Sequence, residues 1–241
     1  MGLTTQMKEP CDAVPLRSDW IEEIIRIVGP DSRCNIIDVG ANIGQVALLL
    51  LQYFPQASLT CFEPSKRNYE RLVENLSYLE NVVCLPFALG ASAGEAELHI
   101  YTNDLCNTLV PTFREPWLEH VGVEAVKVVT LDQFAAEHKI SSIDILKIDV
   151  EGYELSVLKG ALWLLTNHRI RFVYAEVGFH RNRRHQCFSD LIDFMFALDY
   201  DLCGFYEVFK DGKKNQYTAF CNALFMTRPR IFGKLPVDTS G

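Results

Sequence analysis

The stretch NIIDVGANIGQVALLLLQYFP, residues 35–55, limits most strongly what this 241-residue chain can fold into. A short apolar run ends in Asp38, a turn containing Gly40 and Gly44 follows, and the apolar residues after the turn recur at helical spacing. A buried strand that passes through a glycine turn into a helix is typical of the first unit of a parallel α/β sheet.

The same alternation of strands and helices continues along the chain. Right-handed crossovers place the first three strands in the order 3-2-1, and two further main strands extend this order to 3-2-1-4-5. The apolar patterns predict main strands at 35–39, 57–64, 81–89, 142–152 and 169–179, helices at 18–29, 44–53, 65–79 and 153–167, and an exposed edge strand or hairpin at 94–104.

The C-terminal part contains two alternating strands around a turn at Asp211-Gly212, which predicts a hairpin. We therefore predict an α/β fold with a Rossmann-like, doubly wound, mostly parallel seven-stranded sheet that closes in a C-terminal antiparallel hairpin. Residues 1–32 would form an N-terminal extension and helix, and residues 33–241 would form the α/β domain.

Composition narrows the classes of partner. The formal net charge of −8 argues against a nucleic-acid-binding protein, which usually presents a basic face. The N-terminal residues lack the apolar core of a signal peptide, and the apolar runs are too short to span a bilayer. We expect a cytoplasmic protein without a nucleic-acid or membrane partner.

The glycine turn and the acid after the second strand predict a ligand. In doubly wound folds ligands lie at the carboxyl ends of the strands where the strand order reverses, and the first strand is at that point. Gly40 permits a sharp turn and leaves the backbone bare towards a ligand, while Gly44 opens a helix whose free N–H groups favour a carboxylate. Glu63 ends the second strand and can accept both hydroxyls of a ribose. The turn and the acid together indicate an adenosine-bearing cofactor; the alternative is a structural turn plus a surface acid.

The glycine pattern also indicates which adenosine-bearing cofactor would bind at the turn. In a G-x-G-x-x-G fingerprint counted from Gly40, the second and third glycines are replaced by Asn42 and Gln45. Those glycines let a pyrophosphate approach and a helix pack closely, so their absence argues against a nicotinamide dinucleotide. S-adenosylmethionine has no phosphate and would place its carboxylate and amine at the turn.

At this point the chain resembles the FkbM-type family of class I S-adenosylmethionine-dependent methyltransferases. The motifs that carry the resemblance lie between about residues 36 and 225 and are DVGANIG, FEPS, FALG, VVTLDQF and IDILKIDVEGYELSVLKGA. The resemblance implies the class I methyltransferase fold and O-methylation of a hydroxyl on a small molecule such as a natural product or a sugar. It places the cofactor contacts near Asp38, Gly40, Asn42, Gly44 and Glu63, with Ala88 or Leu89 near the adenine.

The methyl acceptor is expected over the carboxyl ends of the fourth and fifth main strands. Asp149 and Glu176 end these strands and are neighbours across the sheet, and Glu151 lies just beyond. Asp149 could accept the proton of the acceptor hydroxyl. Alternatively, Asp149 and Glu176 could hold a divalent metal such as Mg²⁺ that lowers the pKa of that hydroxyl. Glu151 could instead serve the N-terminus of the following helix, where a negative charge is favourable.

Two further charged groups have competing explanations. Lys147 lies mid-strand in an apolar setting, so we expect it to pair with Glu176 or Asp149, or to tune a proton-transfer group. His180 follows the fifth main strand and could act as a general base or be merely structural. The basic run HRNRRH, residues 180–185, could receive an acidic acceptor or be a solvated face.

The segment NDLCNTLVPTF, residues 103–113, could form a lid over the site, with Asn107 and Thr108 as contacts. Asp132 is predicted to cap a helix. Two rival functions stay open from the sequence: a nicotinamide-dependent oxidoreductase, and a binding protein that retains the fold without turnover.

Overall fold

A computed structural model describes residues 19–29, 32–111, 118–180, 185–212 and 215–228. Its helices are α1 (Asp19–Val28), α2 (Gln45–Tyr53), α3 (Lys66–Leu76), α4 (Leu131–Glu137), α5 (Glu154–Lys159), α6 (Leu162–Thr166) and α7 (Phe188–Ala197). Its strands are β1 (Asn35–Val39), β2 (Ser58–Phe62), β3 (Val82–Leu85), β4 (Ala88–Leu89), β5 (Gly94–Tyr101), β6 (His120–Val129), β7 (Ile143–Ile148), β8 (Ile170–Gly178), β9 (Tyr200–Asp211) and β10 (Tyr217–Thr227).

The main sheet has seven strands in the order β3-β2-β1-β7-β8-β10-β9. The five strands from β3 to β8 are parallel, and β10 runs antiparallel to both β8 and β9. This confirms the predicted doubly wound sheet with its C-terminal antiparallel hairpin. The strand order reverses between β1 and β7, so the carboxyl ends of these two strands bound the place where such folds bind ligands.

Both faces of the main sheet are covered by helices because successive residues of each buried strand point to opposite faces. Ile36 packs with residues of α1, α2 and α3 on one face, whereas Ile37 packs with residues of α4, α5, α6 and α7 on the other. Each fully buried Ile or Leu side chain in these layers stabilises the fold by roughly 1.5–3 kcal/mol. Among the described residues, no helix has both the length and the apolar character needed to cross a bilayer.

The predicted strand at 81–89 is wrong as a single element. It divides at Pro86, which has no backbone N–H for the sheet. The second part, β4, leaves the main sheet and pairs with β6 in a three-stranded sheet of order β4-β6-β5. The predicted edge strand at 94–104 is β5 of this smaller sheet.

The predicted helix at 153–167 is also divided, into α5 and α6. The carbonyl of Gly160 accepts a hydrogen bond from the Asp132 N–H at 2.9 Å, which takes it out of the helical ladder. The Asp132 carboxylate accepts from the N–H groups of Trp163 and Leu164 at 2.8 and 3.0 Å. Asp132 therefore caps α6, whereas its own helix, α4, is capped by the hydroxyl of Thr130.

Candidate active site

A cavity of about 280 Å³ opens at the carboxyl ends of β1, β2, β7 and β8. This is close to the lower end of the range of about 300–1,000 Å³ that is typical of small-molecule sites. Residues from the glycine turn line one end, and residues from β8, β9 and β10 line the other. The predicted residues that line it are Gly40, Asn42, Glu63, Ala88, Leu89, Asn107, Thr108, Lys147, Asp149, Glu151 and Glu176, whereas the predicted cofactor contacts Asp38 and Gly44 are not among its lining residues.

Gly40 joins the ends of three neighbouring strands. Its N–H and that of Ala41 both donate to the carbonyl of Phe62, at 2.9 and 3.0 Å. Its φ is +78°, and a Cβ at this position would lie 1.9 Å from the carbonyl oxygen of Asp149. The sequence-based expectation that Gly40 leaves room for a ligand is therefore incomplete, because the backbone after β7 already requires a glycine here.

Packing against α3 also requires a glycine at position 44. Its φ is +90°, and a Cβ would lie 3.0 Å from side-chain carbons of both Leu72 and Leu76 in α3. Gly44 occupies the N-cap position of α2, which has no side-chain cap, and Gln45 and Val46 of the first helical turn line the cavity. The N-terminus of α2, with its partial positive charge, thus faces the cavity.

Glu63 is the buried carboxylate at the cofactor end. Its Oε2 accepts from the N–H of Asn42 and its Oε1 accepts from the N–H of Ser65, both at 2.9 Å. Asn42 has a left-handed backbone with φ +49°, which directs this N–H towards β2. Burial raises the pKa of Glu63 to about 7, against the opposing effect of the two backbone donors. The position of this carboxylate is therefore fixed by backbone groups on both sides.

The wall beside Glu63 is apolar. It contains aromatic and aliphatic side chains from the end of β2, from the segment around β4, from β5 and from the segment that follows β5, namely Phe62, Phe87, Ala88, Leu89, Leu98 and Leu105. Ala88 and Leu89 are buried. An apolar wall next to a single buried carboxylate suits a nucleoside, whose base is flat and whose sugar donates hydrogen bonds.

Lys147 connects the two ends of the cavity. Its Nζ lies 3.0 Å from Oδ1 of Asp38 and 3.6 Å from Oδ2 of Asp149, and it donates to the carbonyl of Gly40 at 3.3 Å. Burial by itself lowers the pKa of this ammonium, but the charges of Asp38 and Asp149 outweigh burial and raise it. The predicted pairing with Asp149 is confirmed, the predicted pairing with Glu176 is not found, and the closest partner is Asp38.

Asp149 and Glu176 begin the acceptor end of the cavity. Asp149 follows β7, and its side chain is 41% exposed, whereas Asp38 is fully buried. Ile148 pairs with Ala175, so Asp149 and Glu176 are the next residues on neighbouring strands. A half-exposed carboxylate that faces the cavity can receive a proton and release it to water.

Two glutamates that follow β7, Glu151 and Glu154, have roles that differ from those expected from the sequence. Glu151, expected as a possible helix N-terminal charge, lines the cavity. Glu154 is instead the acid in the first turn of α5, and its carboxylate accepts from the N–H groups of Val150 and Gly152 in the loop before this helix, at 3.1 and 3.2 Å. Burial, followed by the charge of Glu176, raises the pKa of Glu154 to about 8. One oxygen of Glu154 is buried without a hydrogen-bond partner among the described residues. These features favour a protonated Glu154 at neutral pH.

The sequence profile of the methyltransferase FkbM domain matches residues 38–202, which is more than half of the chain. The chain belongs to the FkbM methyltransferase family.

Two relatives are methyltransferases, and one solved structure is similar in fold. The chain is 32% identical over 152 residues to a 2-O-methyltransferase, NoeI, of Sinorhizobium fredii, covering 58% of this chain and 62% of NoeI. It is 26% identical over 159 residues to the hexuronic acid methyltransferase AglP of Haloferax volcanii, covering 65% of this chain and 62% of AglP. The matches thus span about three fifths of each relative. An FkbM methyltransferase structure from Methylobacillus flagellatus is similar in fold, with a TM-score of 0.52, 18% identity, and coverage of 80% of this chain and 43% of that one.

Other predicted residues lie in different places. His180 is not among the residues that line the cavity, and its ring lies edge-on to Tyr217 with centroids 5.6 Å apart. Asn107 and Thr108 do line the cavity; the Thr108 hydroxyl donates to the carbonyl of Glu151 at 2.7 Å. The predicted basic loop falls largely outside the described residues, as do residues 112 and 113 of the predicted lid.

His185, the last residue of the predicted basic run, has its Nδ1 2.7 Å from Oε2 of Glu176. Sequence reasoning missed two polar residues at the acceptor end, Glu207 and Asn222, which line the cavity from the C-terminal hairpin. No local motif marks them, because their approach to the site depends on how β10 and β9 pair with β8. The polar character of Asn222 within the apolar run of β10 is the one signal that could have drawn attention to the hairpin.

Replacement of Lys147 by Met should destabilise the protein by about 3–5 kcal/mol, because it leaves the buried Asp38 carboxylate without its cation. The measurement is the free energy of unfolding in urea. The double variant Asp38→Asn/Lys147→Met should recover most of the loss, since it removes both buried charges. A cost below about 1 kcal/mol for Lys147→Met would contradict the assigned pairing.

The affinity for S-adenosylhomocysteine should rise with pH up to about 7, by at most about tenfold per pH unit, and then level off. Hydroxyl donors prefer the ionised Glu63, so binding lowers the pKa of this group and releases a proton. Calorimetry in buffers of different ionisation enthalpy measures both the affinity and the number of protons released on binding. Glu63→Gln should bind more weakly and lose this pH dependence; an unchanged pH profile in the variant would remove Glu63 from the site.

Proposed function

We propose that this chain transfers the methyl group of S-adenosylmethionine to a hydroxyl oxygen of a small molecule, such as a sugar or a related natural product. The observation that carries the proposal is the oriented, buried Glu63 in the same cavity as the half-exposed Asp149. Membership of the FkbM family supports it, as do the 2-O-methyltransferase and hexuronic acid methyltransferase activities named for two relatives. A cytoplasmic location and the lack of nucleic-acid or membrane partners stay predictions from composition.

The residues at the cofactor end fit S-adenosylmethionine. Each oxygen of Glu63 accepts one backbone N–H and retains a second lone pair, so the carboxylate can also accept the ribose hydroxyls. The exposed first turn of α2 suits the methionine carboxylate, and the wall at Ala88 and Leu89 suits the adenine. Asn42 and Gln45 stand at positions where a dinucleotide site has glycines, which agrees with a cofactor that has no pyrophosphate.

When bound, S-adenosylmethionine supplies an electrophilic methyl group on a sulfonium sulfur. Asp149 accepts the acceptor's hydroxyl proton while the new oxygen–carbon bond forms and the carbon–sulfur bond breaks. Lys147 orients Asp149 towards the cavity through their contact of 3.6 Å. The segment at 104–109 lines the cavity, and much of the rate enhancement comes from holding the two reactants in line. A role for His180 in proton transfer stays a prediction.

Asp149→Asn should lower turnover by about 10²–10⁴-fold, because the amide cannot accept the proton. Methyl transfer from labelled S-adenosylmethionine to a panel of methyl glycosides and small polyols measures the loss. The affinity for S-adenosylhomocysteine, measured by calorimetry, should stay within about threefold, since the cofactor contacts lie elsewhere in the cavity.

Asp144→Asn is the matched control, since Asp144 lies near the start of β7, at the opposite end of this strand from Asp149, where it accepts from the N–H of Asn35. It should retain turnover at 25 °C. S-adenosylhomocysteine should raise the Tm of the wild-type protein, and NADH should not. An Asp149→Asn variant with normal turnover would reject the role of Asp149, and stabilisation by NADH alone would reject the proposed reaction.

A divalent metal is the alternative means of activating the acceptor hydroxyl. Within the described part of the chain, one group of three residues has its ligand atoms within 4.8 Å of one another, namely Glu151, Glu176 and His185, and it shares Glu176 with the predicted pair Asp149 and Glu176. An imidazole among the donors suits a transition metal better than Mg²⁺. Because Asp149 can itself accept the proton, we expect activity to stay within about twofold after dialysis against EDTA. Loss of activity that Mn²⁺ or Mg²⁺ restores would instead establish the metal mechanism.

A further inference from the structure

We propose that Glu207 binds hydroxyls of a polyhydroxylated, sugar-like acceptor and thereby determines which hydroxyl reaches the methyl group. This inference rests on the proposed function. Glu207 lies on β9, at the far end of the cavity from the glycine turn. Four features of the structure support the inference. They are the backbone conformation of Glu207, the groups that orient its carboxylate, its alignment with the polar residues of the acceptor end, and the aromatic surface beside it.

The backbone of Glu207 is unusual for a strand. Its φ is +49°, in the left-handed region that glycine favours. Tyr206 pairs with Asn222 and Phe209 pairs with Phe220, so two residues of β9 face one residue of β10. This is a β-bulge, and bulges next to active sites redirect side chains. A glutamate in this conformation is strained, and such strain persists only where the surrounding structure enforces it.

Two donors from neighbouring strands orient the Glu207 carboxylate. Its Oε2 accepts from the hydroxyl of Tyr174 at 2.9 Å and from the side-chain amide of Asn222 at 2.7 Å. Tyr174 is buried, and its ring stacks on Trp20 of α1 with centroids 4.0 Å apart. Burial, followed by the charge of Glu207, raises the pKa of Tyr174, so its hydroxyl stays a donor. The carboxylate is thus held from β8 and β10 in a direction that faces the cavity.

Glu207 also stands in line with the acidic residues of the acceptor end. Asn222 pairs in register with Glu176 on one side and with Tyr206 on the other. The row therefore runs from Asp149 after β7, through Glu176 and Asn222, to Glu207. An acceptor whose reacting hydroxyl lies at Asp149 would extend along this row and reach Glu207 with a second hydroxyl.

An aromatic surface lies beside the row. Phe209 and Phe220 both line the cavity and stack with centroids 4.2 Å apart, and the ring of His185 stacks on Phe220 at 4.1 Å. Carboxylates accept hydrogen bonds from hydroxyls, and aromatic faces pack against the C–H face of a saturated ring. Together they suit a compact ring with several hydroxyls rather than a flat aromatic or a long aliphatic acceptor.

The test measures binding of a panel of methyl glycopyranosides to the protein saturated with S-adenosylhomocysteine, by calorimetry and saturation-transfer NMR. At least one glycoside should bind the wild type. Glu207→Gln should lower the affinity for that glycoside by about tenfold or more, as expected for the loss of a charged hydrogen-bond acceptor. Tyr174→Phe, which removes one orienting donor but keeps the carboxylate, should have a smaller effect. The affinity for S-adenosylhomocysteine should not change in either variant.

Two further variants separate recognition from folding. Glu207→Gly suits the left-handed backbone while it deletes the carboxylate, so a folded protein that no longer binds the glycoside would support recognition even if Glu207→Gln misfolds. Glu95→Gln, at an exposed position of β5, is the matched control and should bind normally. Normal glycoside binding by Glu207→Gly, or no glycoside bound by the wild type, would overturn the inference. Failure of the wild type to bind S-adenosylhomocysteine would instead overturn the proposed function.

Discussion

The buried ammonium of Lys147 holds together the strand ends at the point where the main sheet reverses its strand order. It contacts Asp38 on β1 and Asp149 after β7, and it donates to the carbonyl of Gly40 in the turn between. Because these strand ends separate the two halves of the cavity, one cation contacts groups of both the cofactor end and the acceptor end. Desolvation alone would disfavour the charge, and the carboxylates of Asp38 and Asp149 offset this cost.

The two halves of the cavity are built by different means. The cofactor end depends on backbone groups: the N–H of Asn42 that orients Glu63, and the close approach of Gly40 to the chain after β7. The acceptor end depends on side chains from β8, β9 and β10, which can change without altering the sheet. Family membership therefore argues for the reaction class, whereas the acceptor has to be inferred from the residues of the acceptor end.

The features that could be predicted from the sequence are those that depend on local sequence patterns. The strand order and the positions of Glu63 and Asp149 follow from apolar periodicity and from the ends of the strands. It did not predict Asp38 as the closest partner of Lys147, because that contact depends on the register between strands more than 100 residues apart in sequence. It missed Glu207 because a bulge, rather than strand alternation, directs that side chain, and bulges arise from pairing between strands.

The most direct test of the central claim is a crystal structure of the protein with S-adenosylhomocysteine. We expect the ribose hydroxyls to lie within hydrogen-bonding distance of Glu63, about 2.6–3.2 Å, with the sulfur directed across the cavity towards Asp149. A nucleoside bound away from the turn at Gly40, or one whose ribose does not contact Glu63, would contradict the account.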